Sequence, residues 1–139
     1  MADMSRRSAI ALGIATAAAP AVGLPKAAAA QTYAPDEGTE LVPGVRQVDL
    51  SRQEAIIPGY ETVSMRDIVV EPGASIPSSP MENDMVCHMA EGELRVVQDG
   101  KEFTARKGDV WTCATGTEEG GENAGDTVAI MRVTDLLRG

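Results

Sequence analysis

From Val45 onward the apolar positions fall in short runs between dense turn signals, and no stretch carries the 3.6-residue period of a helix. The runs predict strands over Val45–Leu50, Glu61–Val70, Glu82–Ala90, Glu93–Gln98, Lys101–Ala105, Asp109–Cys113 and Thr127–Thr134. Pro58-Gly59, Pro72-Gly73, the stretch from Pro77 to Pro80, Lys107-Gly108 and Gly120-Gly121 punctuate them as turns. Asp99-Gly100 between two such runs predicts a tight type I′ hairpin, because both residues tolerate positive φ. Many short strands in so small a chain predict an all-β fold, a barrel or two-sheet jelly roll, in one domain. The polar stretch 31–44, with Pro35, Gly38 and Pro43, is expected to be a flexible arm ahead of a barrel domain over 45–139.

The first thirty residues follow a different pattern. Ser5-Arg6-Arg7-Ser8 precedes a weakly apolar stretch Ala9–Leu24, and Lys26 is followed by Ala27–Ala30. A basic start, an apolar centre and small residues at the end form an export signal over 1–30, with cleavage expected between Ala30 and Gln31. The paired arginines resemble the twin-arginine signal, with Ala9 and Ile10 where that signal has a bulkier pair. A soluble amphipathic helix is the alternative. Pro20, Gly23 and Pro25 interrupt it, and no polar stripe faces an apolar one. The expected location is the periplasm, reached in the folded state.

Removing the signal sharpens the charge. The 139-residue chain carries 12 basic and 21 acidic side chains, a formal −9. Without Arg6, Arg7, Lys26 and Asp3 the rest keeps nine basic and 20 acidic groups, a formal −11. That charge repels phosphate backbones and no basic cluster offsets it, so nucleic acid is not an expected partner. No run of 18 apolar residues follows the signal, so no membrane span is expected after processing. Tyr33, Tyr60, Phe103 and Trp111 are the only aromatics, too few for a stacking platform.

Two sets of glycines now fall into a recognisable order. Gly73 and Gly92 bracket one motif, with Glu91-Gly92-Glu93-Leu94 as its closing turn. Gly108-Asp109-Val110, Gly116 and Asn123 mark a second. With Pro58-Gly59-Tyr60-Glu61 and the Asp99-Gly100 hairpin, residues 58–134 resemble a single-domain cupin, which implies a small jelly-roll barrel. The resemblance also implies a metal held by two histidines, a glutamate and a third histidine. At those four places stand Ser79, Met81, Met85 and Glu119, and Ala114 replaces the proline of the second motif. The family's iron, manganese or zinc, and the dioxygenase or isomerase activities that need them, are therefore not expected.

If Met85 points inward like the glutamate it replaces, strand alternation turns Cys87 and Met89 inward as well. Met81 joins from the adjoining strand and Glu119 from the second motif. The expected ligand cavity is thus lined by Ser79, Met81, Met85, Cys87, Met89 and Glu119. Methionine and free cysteine fill apolar space well, so this set serves a metal-free barrel centre. The alternative is cuprous copper on Met81, Met85, Cys87 and Met89, since soft thioether and thiol donors select that ion.

His88, the single histidine, points away from Met85 and Cys87 by the same alternation, so no Cys-His pair is expected. Glu119 in a cavity is a candidate catalytic acid–base group or holder of a cationic ligand; a place on a solvated loop is the other reading, favoured for Glu118. Cys87 and Cys113 are expected either as one disulfide or as two buried thiols.

Three functions remain in view. One is a binding module taking a small molecule without metal or other cofactor. Another is a copper protein. The third is an isomerase or lyase using Glu119. A homodimer, or a subunit's place in an exported complex, is compatible with each.

Overall fold

The computed structural model describes residues 32–139; the export signal assigned to 1–30 and its cleavage after Ala30 lie outside the described residues. Within Pro35–Gly139 the backbone forms ten strands: β1 Thr39–Val42, β2 Val45–Glu54, β3 Thr62–Val70, β4 Ser75–Pro80 and β5 Asp84–Glu91, then β6 Glu93–Gln98, β7 Lys101–Arg106, β8 Val110–Cys113, β9 Glu118–Glu122 and β10 Ala129–Leu137. They pair antiparallel into a six-stranded sheet, β1-β2-β3-β10-β5-β8, and a four-stranded sheet, β4-β9-β6-β7. The jelly-roll expectation holds, with no helix among the described residues.

The interior follows from alternation. Ile68 and Val70 on β3, Met85, Cys87 and Met89 on β5, and Met131 and Val133 on β10 share the buried face of the larger sheet. Leu94 and Val96 on β6 meet them from the smaller one. The opposite face of β3 and β10 carries Asp67, whose carboxylate receives Arg132 in a two-pronged pair at 2.8 and 2.9 Å. The β6–β7 hairpin closes at Asp99-Gly100 with φ of 48° and 82°, the two left-handed positions of a type I′ turn.

Three strands escaped the sequence pattern. β1 lies in the segment expected as a flexible arm, where Thr39 and Glu40 pair with Gln47 and Arg46 of β2. That part of the arm is a sheet edge rather than loose chain. β4 spans the prolines expected to mark a turn; it is the edge of its sheet, where a missing N–H costs no ladder bond. β9 spans Gly120-Gly121, also expected as a turn, and it begins at Glu118, which is exposed but not in a loop. A Cβ at Gly120 would stand 2.6 Å from Ser78 Oγ and 2.8 Å from the Ile76 carbonyl, so the close approach of β4 requires glycine there.

Candidate functional site at the open end of the barrel

Strand register sorts the interior into levels. One level runs Ile68–Met131–Met89 across β3, β10 and β5, all apolar. The next is Arg66–Val133–Cys87–Trp111. The next level outward is Ser64–Asp135–Met85–Cys113, while Ser79–Glu119–Gln98 crosses β4, β9 and β6. The barrel is therefore greasy at one end and polar at the other.

A cavity of about 700 Å³ opens at the polar end. Of the residues singled out in the sequence, Ser79, Met81 and Met85 line it. Cys87 and Met89 do not; both are fully buried in the core one and two levels deeper. Glu119 is also off the lining, buried, and engaged with its neighbours. Its Oε1 accepts the Cys113 thiol at 2.7 Å and Gln98 Nε2 at 3.0 Å. Gln98 Nε2 further reaches the Thr112 carbonyl at 2.9 Å, so this cluster fastens β8 of one sheet to β6 and β9 of the other.

Both cysteines are free thiols. Burial, followed by the hydrogen bond to the Glu119 carboxylate, pushes Cys113 up to about 12. Burial and then the Glu119 charge push Cys87 up as well. Each stays protonated at neutral pH and is a poor nucleophile. His88 is half-buried on the opposite face of β5 from Cys87, beside Arg132 in register, so no Cys-His pair exists there.

The cavity's polar side was not anticipated. Arg66 reaches Asp135 through Nε at 2.8 Å and Nη2 at 3.2 Å, a two-pronged pair with side chains only 27% and 9% exposed. Its Nη1 donates to Gln47 Oε1 at 3.0 Å, and Asn83 Nδ2 donates to Asp135 Oδ1 at 2.9 Å. Parity carried the signal. Counting back by twos from Ile68 gives Arg66 and Ser64, and counting on from Val133 gives Asp135, so charged residues occupy inward positions.

The residues at the cupin ligand places do not fit iron, manganese or zinc. They offer one hydroxyl, two thioethers and a carboxylate already holding a thiol and an amide, where those ions take imidazole, carboxylate or thiolate. Among the described residues no group of three or more His, Cys, Asp or Glu side chains is placed to hold a metal.

A two-sheet antiparallel barrel with one open, residue-lined end and these two glycine motifs is a cupin fold. Residues 68–132 match the family model of the EutQ-like cupin domain. The chain is similar to KdgF from Halomonas sp., with a TM-score of 0.58 and 14% identity over 72% of this chain and 86% of that one. It is similar to the cupin domain of Cnp3 from Schizosaccharomyces pombe, with a TM-score of 0.58 and 19% identity over 71% and 69%. An RmlC-like cupin from Shewanella frigidimarina gives a TM-score of 0.57 and 19% identity over 76% and 90%. No curated protein matches in sequence. Family model and neighbours together support the cupin superfamily.

Proposed function

We propose that this chain is an exported cupin-domain protein that binds a small molecule in the open end of its barrel, without the metal chemistry of its fold. The observation that carries the reading is the composition of the cavity. Ser79, Met81 and Met85 face it in place of metal ligands, and a hydrogen-bonded polar group built on Arg66 and Asp135 lies beside them. Pockets of this size with an apolar wall and a few placed polar groups suit small-molecule binding. Native mass spectrometry of protein purified without chelator tests it. A bound organic molecule with iron, manganese and zinc far below one equivalent is expected; one equivalent of any of these ions contradicts the reading.

Export rests on residues 1–30, with Arg6-Arg7 as its recognised feature. Replacing both by lysine is expected to hold the protein in the cytoplasm, and unchanged periplasmic delivery would remove the twin-arginine route.

A further inference from the structure

A guanidinium in a cavity is ordinarily a carboxylate receptor, because its planar fork matches two oxygens at once. In this barrel the fork is already taken. Arg66 spends Nε and Nη2 on Asp135 and one Nη1 proton on Gln47. Two N–H groups remain, one on each terminal nitrogen. Asp135 is held in turn by Asn83. The pair is formally neutral, and the other charged lining residues are Asp49 and Glu82 against Arg52. An incoming carboxylate meets the fixed charge of Asp135 and a lining with more acids than bases. Displacing Asp135 would leave a 9% exposed carboxylate with Asn83 as its remaining partner, which is costly.

We propose that Asp135 is a specificity-determining residue: by occupying the fork of Arg66 it closes the cavity to carboxylates and leaves it to uncharged polar molecules. This rests on the reading that the cavity holds a small ligand. The remaining Arg66 N–H groups donate to a carbonyl or hydroxyl oxygen. The hydroxyls of Ser64 and Ser79 donate or accept, and the thioethers of Met81 and Met85 receive an apolar body. The ligand class is a small neutral amide, ketone or alcohol with an apolar portion.

Matched probes differing only in charge test it. Benzamide and benzoate, then nicotinamide and nicotinate, are titrated into the full chain at neutral pH and followed by protein-observed NMR. In the wild type each amide is expected to shift resonances of cavity residues, with the matching acid at least about tenfold weaker. Asp135→Asn is expected to bring the acid level with the amide or ahead of it, while Asp126→Asn, an equal charge change at an exposed residue outside the cavity lining, leaves the preference within a factor of about three. The wild-type preference needs no variant, so the proposal stays exposed if Asp135→Asn does not fold. Acids binding the wild type as tightly as the amides would overturn the proposal and leave the cavity a binding site. No binding of any probe up to its solubility would overturn both.

Discussion

The two ends of the barrel interior are made by the same strands and follow the same alternation, yet they are built for different work. At the closed end Ile68, Met131 and Met89 stand level with one another and exclude water. Two levels out, the same three strands present Ser64, Asp135 and Met85 around a cavity. β10 makes the contrast within one strand, since Ala129, Met131 and Val133 are core and Asp135 is site. The packed core and the residues that line the cavity thus lie at different levels of the same strands.

Substitutions should divide along the same line. Met89→Ala at the closed end removes a fully buried side chain and is expected to cost about 2–5 kcal/mol in urea unfolding, with ligand preference unchanged in whatever folds. Asp135→Ala at the open end leaves Arg66 without its main partner and is expected to cost about 2–3 kcal/mol, moderated by the exposure of Arg66. The double change Arg66→Met with Asp135→Leu should recover most of that loss, because an apolar pair replaces a pair that burial makes expensive. A double variant no more stable than Asp135→Ala would show that the polar end also carries the fold. Gly120→Ala, which forces a Cβ against Ser78 and the Ile76 carbonyl, is expected to cost about 1–3 kcal/mol and to loosen β4, the strand that carries Ser79.

The smallest effect concerns acid. Asp84 at the start of β5 accepts the Tyr60 hydroxyl on Oδ2, and the Thr115 N–H and hydroxyl on Oδ1, with Arg138 alongside. The Tyr60 hydrogen bond first, then those from Thr115, lower its pKa to about 2. A folded-state value below the unfolded one, near 3.9, means the stabilisation is present above about pH 4 and is lost as pH falls toward 2. Asp84→Asn should flatten that acid limb of the stability curve and leave neutral-pH ligand binding alone. An unchanged limb would place the acid sensitivity elsewhere.

Much of the fold was legible because its signals are local. Asp99-Gly100 specifies its own turn, and the alternation of Met85, Cys87 and Met89 shows which face of β5 is buried. β4 and β9 were illegible for the converse reason. Their prolines and glycines read as turns, and only the edge position of β4 and its close approach to Gly120 make them strands. At the site, motif spacing found Ser79, Met81 and Met85. It also placed Glu119 with them, and strand alternation from Met85 added Cys87 and Met89, but alternation gives facing direction and not depth, and all three are buried off the lining. Arg66 and Asp135 are 69 residues apart, and only the β3–β10 pairing brings them together.

The proposal that this cupin-fold barrel works without the usual cupin metal is tested most directly by titrating the full chain with ferrous and zinc ions under reducing conditions. Ser79, Met81, Met85 and a Glu119 engaged by Cys113 and Gln98 should hold neither ion stoichiometrically. One tight equivalent of iron or zinc, lost on changing Glu119 to Gln, would contradict the account.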